Sequence, residues 1–205
     1  MKILALDTSV GVSVAVLDGE QVLAQFTDAA HGIQGEQTSA QIKLLLNQCG
    51  LSVHDITKVV VGVGPGPFTG LRVGIATAQA FALARGISVV GLSSLDAIAY
   101  EFGKPCIVVT DARRKELYWA KYDPKRILGP SVSTPQQLAK EQAVSIFVGP
   151  AANLYPEFIN GQVMPLNAAA LGKLFAAGNA EVLPVTPLYL RKPDAQEPTS
   201  RKSVL

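Results

Sequence analysis

Side chains that bind metals or form cross-links are scarce in this chain. It has 2 cysteines, Cys49 and Cys106, far apart and without metal-ligand spacing. Its 2 histidines, His31 and His54, have no companion cluster. That shortage argues against a disulfide framework and a zinc site, and points to buried thiols in a reducing compartment. No lysine occurs between Lys58 and Lys104, which matters for the glycine-rich segment lying between them. The chain opens Met1-Lys2 and enters a strand pattern at once, with Asp7 interrupting the apolar run. Neither a signal peptide nor a membrane span is predicted, and the cytoplasm is the expected location. The net charge of +2 is too mild to mark a nucleic-acid-binding protein by itself. What is present is a globular balance of 48% hydrophobic and 17% charged residues in 205, enough for one good core or two small lobes sharing a cleft.

The most informative stretch is Gly64-Pro65-Gly66-Pro67-Phe68-Thr69-Gly70-Leu71-Arg72-Val73-Gly74. It follows Val59-Val60-Val61, so it reads as strand, glycine-rich turn and helix, the order of a phosphate cradle. Pro65 and Pro67 have no N–H to offer a phosphate. The missing lysine rules out a P-loop, and Thr69 stands where the dinucleotide fingerprint needs its third glycine. Pro67 suits the first turn of a helix instead. In that helix Gly70, Gly74, Ala78 and Ala82 recur every fourth residue as a stripe of small side chains. Each interior glycine costs about 1 kcal/mol relative to alanine, so another backbone should lie close against the stripe. It packs either on the protein's own sheet or on a helix of another subunit, and sequence leaves both open.

The first half reads as three strands (Ile3–Leu6 ending at Asp7-Thr8-Ser9, Val12–Val16, and Val22–Phe26) with Asp18-Gly19 as a hairpin turn. A helix from about Glu36 to Asn47 follows, with Ile42, Leu45 and Leu46 on one side and Gly50 as its cap. Strands at Val59–Val63 and Ile87–Val90 and a helix from Ser93 or Ser94 to about Tyr100 complete this half. The pattern then restarts: Cys106–Thr110 ends at Asp111, Ala112-Arg113-Arg114-Lys115 turns, and Glu116–Tyr122 returns. A short helix at Thr134–Glu141, a strand at Ser145–Val148 and a helix near Ala168–Ala177 complete an abbreviated second half.

This repeated scheme predicts an α/β protein of two RNase-H-like lobes. Residues 1–102 form the first lobe, residues 103–190 a smaller second one, and residues 191–205 a mobile tail. That is the architecture of the actin, hexokinase and heat-shock-chaperone (ASKHA) superfamily, in which an aspartate on the first hairpin of each lobe positions Mg²⁺ and nucleotide phosphates. Asp7 and Asp111 occupy the matching places. Each can equally be a carboxylate that caps its hairpin.

Three segments, Ile3-Leu4-Ala5-Leu6-Asp7-Thr8-Ser9, the Gly64–Gly74 motif and Asp111-Ala112-Arg113-Arg114-Lys115-Glu116-Leu117-Tyr118-Trp119-Ala120, closely resemble the bacterial TsaB proteins, also called YeaZ. Pro187-Leu188-Tyr189-Leu190-Arg191 is similar to that family's C-terminal motif, so the resemblance spans nearly the whole chain. It implies a role in making threonylcarbamoyladenosine, the modified base beside the tRNA anticodon. In that family the paralogue TsaD performs the transfer, TsaB is its scaffold partner and the ATPase TsaE joins the pair. TsaB-like proteins also form homodimers through the helical surface that TsaD uses.

The resemblance implies a docking face at Leu45, Leu46, Gly70, Gly74, Ala78, Phe81 and Ala82, with contact to tRNA only indirect. TsaD carries two histidines four apart on the following helix, and the corresponding positions here are Ser94 and Ile98. Isoleucine cannot ligate a metal, so a non-catalytic subunit without metal or cofactor is expected. Asp7, Thr8, Ser9 and Asp111 are candidates for a vestigial nucleotide site, with nucleotide bound only in the assembled complex. The alternative is a weak ASKHA-type ATPase or kinase using Asp7 and Asp111, and a third reading is direct tRNA binding through the basic turn and tail. Two departures from the family pattern are Pro67, where serine is usual, and Gln37, where relatives carry histidine nearby.

Overall fold

Two sheets, each started by an apolar strand that ends in aspartate and folds back as a hairpin, carry the chain. The computed structural model describes residues 1–29, 34–142 and 146–191. The first sheet contains β1 (Lys2–Asp7), β2 (Val12–Asp18), β3 (Gln21–Asp28), β4 (Lys58–Gly62) and β5 (Val89–Leu92), in the order β3-β2-β1-β4-β5. β1 pairs antiparallel with β2 and parallel with β4, and β4 pairs parallel with β5. The second sheet contains β6 (Cys106–Asp111), β7 (Leu117–Asp123), β8 (Lys125–Ser133) and β9 (Phe147–Val148), in the order β8-β7-β6-β9. Among the described residues it repeats the first scheme with four strands, so the internal echo in the sequence is structural.

Side chains alternate across a strand, so each sheet presents two apolar faces. Leu4, Leu6, Val14, Val16, Val59 and Val61 pack with α1 (Gln34–Gln48) and α2 (Phe68–Arg85). Ile3, Ala5, Ala15, Leu17 and Val60 face the other way, onto α5 (Ala168–Ala176) and Ala97 of α3 (Ser94–Phe102). Leu95 and Ile98 of α3 pack with Cys106, Val108, Ala120 and Tyr122 of the second sheet, so α3 belongs to both cores. The far face of the second sheet packs on Leu138 of α4 (Pro135–Glu141), which Thr134 caps reciprocally with Gln137.

The structure departs from the sequence reading in three places. α5 lies in the stretch assigned to the second lobe, yet it covers the first sheet, because its small residues fit that face. A Cβ on Gly172 would stand 2.5 Å from Leu17 Cδ1. Residues 183–189 also return to the first lobe: Leu183 N donates to Gly91 O at 2.8 Å and Leu188 N to Val63 O at 2.8 Å. The division at residue 103 therefore separates the sheets but not the lobes. β8 is absent from the sequence reading; it carries Gly129-Pro130 at the edge of the sheet, where a strand tolerates proline. Residues 192–205 and His31 lie outside the described residues, as does Ser145, where the sequence places the start of the strand observed at Phe147–Val148. No helix among the described residues is long and apolar enough to cross a membrane.

Candidate functional site

The turn after β1 gathers most of the residues singled out by sequence. Asp7 is fully buried. Its Oδ1 accepts from Ser9 N at 2.7 Å and Ser9 Oγ at 2.6 Å, and its Oδ2 from Ser94 Oγ at 2.6 Å. Burial pushes the Asp7 carboxyl above its ordinary value of 3.8, against the opposing pull of the Ser9 and Ser94 hydrogen bonds. The glycine–proline loop closes directly over this carboxylate. A Cβ on Gly62 would lie 1.7 Å from Asp7 Oδ2, and one on Gly66 2.8 Å from Ser9 Cβ. Gly64, Pro65 and Gly66 are buried, and Gly64 is clasped by Ser94, donating to its Oγ at 3.2 Å and accepting from its N at 2.9 Å. A loop packed in this way is a structural clamp on the β1–β2 turn. Pro67 stands one residue before the first helical position, as the N-cap of α2.

The small-residue stripe resolves in favour of internal packing. Gly70, Gly74, Ala78 and Ala82 are buried. A Cβ on Gly70 would stand 2.4 Å from Thr8 O and one on Gly74 2.2 Å from Thr8 Oγ1. Ala78 and Ala82, with Leu45 and Leu46 of α1, belong to the core above the first sheet. The close-lying backbone that the glycines require is thus the β1–β2 turn of the same chain. Among the seven residues expected at the docking face, Phe81 alone is half-exposed, and it packs against the edge of that core.

The opposite side of α2 is the one turned outward. Ala76, Ala80 and Ala84 are exposed, again at four-residue spacing, and Leu83 is 85% exposed. Leu44 of α1 is 51% exposed. Between the two helices runs a groove of about 740 Å³ floored by Ile42, Leu46, Leu51 and Phe81. The second alanine series is present in the sequence but is masked by the first, because α2 is small and apolar on both sides. Gln37 is half-buried on α1, with its Oε1 buried and unpartnered among the described residues. His54 is exposed in a single turn at Val53–Asp55.

The second hairpin differs from the first. Asp111 Oδ1 accepts from Arg113 N at 2.7 Å, and its Oδ2 lies 3.2 Å from the Arg113 guanidinium. Arg113, Arg114 and Lys115 have φ of +61°, +53° and +59°. A left-handed conformation costs a residue with a Cβ about 1 kcal/mol or more, so three in succession form a strained turn that Asp111 holds in place. Arg191 reaches across to donate to Ala112 O at 2.9 Å and to pair with Glu116. Asp7 and Asp111 share no partner: serines hold the first and an arginine holds the second.

Ser94 and Ile98 both have internal roles, Ser94 as the donor to Asp7 and Ile98 as a buried member of the core between α3 and the second sheet. No group of three or more potential metal ligands occurs among the described residues.

The family model described as TsaD, tRNA N6-adenosine threonylcarbamoyltransferase, matches residues 34–152. A Mycobacterium leprae protein is 37% identical over 205 residues, which cover 97% of this chain and 57% of that one. The chain therefore spans little more than half of that relative. The Bacillus subtilis tRNA threonylcarbamoyladenosine biosynthesis protein TsaB is 28% identical over 223 residues, covering 96% of each chain. The solved structure of YeaZ from Pseudomonas aeruginosa superposes with a TM-score of 0.76 at 24% identity, covering 92% of this chain and 99% of that one. That likeness establishes the fold as the two-lobed α/β one.

Proposed function

The chain belongs to the TsaB (YeaZ) family, related to the TsaD transferases, and we propose that it is the non-catalytic partner of TsaD in the threonylcarbamoyl transfer that modifies the tRNA adenosine beside the anticodon. The reading rests chiefly on the outer face of α1 and α2, where exposed Ala76 and Ala80 line an apolar groove with Ile42, Leu46 and Phe81, and Leu83 is exposed one turn beyond Ala80. Exposed apolar side chains beside small ones let a second pair of helices approach closely, by the geometry first expected for the inner stripe. TsaD docks there in the assembled complex, TsaE joins the pair, and a second copy of this chain takes the face when TsaD is absent. The protein acts in the cytoplasm and meets tRNA mainly through TsaD.

Its own residues are arranged for holding shape. The carboxylate that would position Mg²⁺ in a kinase of this fold is sealed under the glycine–proline clamp, and its oxygens accept from Ser9 and Ser94. The protein needs no cofactor of its own, and any nucleotide binds only in the assembled complex. The test is reconstitution of tRNA modification from TsaD and TsaE with and without this chain. Modification should require the chain and survive Asp7→Asn wherever that variant folds. Modification at full rate without the chain, or phosphoryl transfer by the chain alone that Asp7→Asn abolishes, would overturn the reading.

A further inference from the structure

We propose that the strained tip of the β6–β7 hairpin, with the C-terminal strap beside it, is a direct contact surface for the phosphate backbone of tRNA. This rests on the functional reading above, which supplies the RNA, and assigns to this chain a contact that reading leaves to TsaD.

Arg113, Arg114 and Lys115 form the tip, all three exposed and left-handed. Glycine, asparagine or aspartate would hold such φ values with less strain, so three long cations are an unfavourable choice for making the turn. Strain of this kind is a pointer to function. Asp111 holds Arg113 through both backbone and guanidinium, which lowers the cost of ordering that residue when a ligand arrives.

The strap extends the surface. Arg191 is anchored on Ala112 O and Glu116 at the base of the tip. Two residues earlier, Tyr189 packs against Phe68 with ring centroids 4.7 Å apart. Arg72 lies 5.9 Å from the Phe68 ring and 5.8 Å from the Tyr189 ring. Tyr189 precedes Arg191 by two residues, so the strap links this aromatic pair to the base of the tip through Arg191. Along this surface lie Arg72, which donates to the Tyr189 hydroxyl at 2.9 Å, Arg113, paired with Asp111, Arg191, paired with Glu116, and the exposed Arg114 and Lys115. Cations beside a half-exposed tyrosine are the combination that follows a phosphate backbone while offering a ring to a base. An acidic protein segment would use the charges but not the ring.

The full-length chain is titrated with unmodified tRNA by fluorescence anisotropy at several salt concentrations, alongside Lys115→Gly and Arg72→Gln. Lys115→Gly should keep or raise the melting temperature, because glycine accepts φ +59° without strain, while weakening tRNA binding several-fold. Removing one cation from the phosphate backbone should lower the slope of log K against log salt by about 0.7–0.9. The proposal is overturned if the wild-type chain shows no salt-dependent tRNA binding, or if both variants bind as tightly as wild type. It is also overturned if the variants lose affinity for TsaD or for ATP and keep it for tRNA. Reconstituted modification keeps the two readings apart. If the chain still supports modification while tip variants leave tRNA affinity unchanged, the tRNA surface is wrong and the partner role stands.

Discussion

Thr8 Oγ1 donates a 2.6 Å hydrogen bond to the carbonyl oxygen of Gly70, 62 residues away in sequence. The bond joins the first hairpin to the first turn of α2. Because Gly70 and Gly74 have no Cβ, the helix can lie directly on that turn.

Gly74→Ala tests this packing. Alanine improves intrinsic helix propensity by about 1 kcal/mol, but its methyl would enter Thr8 Oγ1 at 2.2 Å. Overpacking of about 1–3 kcal/mol should prevail. Urea unfolding should show a net loss of stability, and a stabilised variant would refute the packing described.

Asp7 sets a pH dependence. Its folded-state pKa is raised by burial, so its favourable contribution is complete below the ordinary value of 3.8 and is lost as pH rises through the folded value. Asp7→Asn has no such titration. The stability difference between wild type and variant, measured by urea unfolding from pH 4 upward, should shift in the variant's favour as pH rises and then level off. A difference independent of pH would mean that the carboxylate is not desolvated.

Ala80→Glu and Leu83→Glu probe the outer face of α2. Both sites are exposed, so stability should change by no more than about 0.5 kcal/mol. Affinity for TsaD, measured by calorimetry, should fall at least about tenfold, equivalent to about 1.4 kcal/mol. Unchanged affinity in both variants would remove α2 from the docking surface.

Arg126 lies 3.1 Å from Asp96, with side chains only 12% and 11% exposed, and Tyr122 donates to the same carboxylate at 2.7 Å. Arg126→Ala would leave Asp96 buried without its cation, which should cost about 3 kcal/mol. Burial already raises the Asp96 pKa, and removing the guanidinium raises it further. The variant's deficit should therefore shrink in acid, where Asp96 is protonated, and grow towards neutral pH. Thermal melts at pH 4 and pH 7 measure both effects.

Local signals carry most of the fold. The Asp18-Gly19 turn, the Thr134 capping box and the apolar strands ending at Asp7 and Asp111 act over a few residues, and each is where its chemistry predicts. Long-range matters are not legible. Nothing near Ala168 indicates which sheet it will cover, because an alanine-rich helix fits any flat apolar face. The sidedness of α2 is hidden for a related reason: Gly70, Gly74, Ala78 and Ala82 alternate around the helix with Ala76, Ala80 and Ala84, and only tertiary packing decides which series is inside. The strap over α2 is likewise set by partners more than ninety residues apart, such as Gln79 and Val185.

The placement of α5 also governs how the protein can emerge during synthesis. Ile3, Ala5, Ala15, Leu17 and Val60 are made early, but the helix that shields them begins only at Ala168. At about 5–20 residues per second, the stretch between Leu92 and Ala168 occupies several seconds of translation. Throughout that interval a nascent five-stranded sheet would present one bare greasy side. Chaperone demand and sensitivity to elongation speed should therefore concentrate in this window, and truncations ending before α5 should aggregate even though every strand of the first sheet is already present.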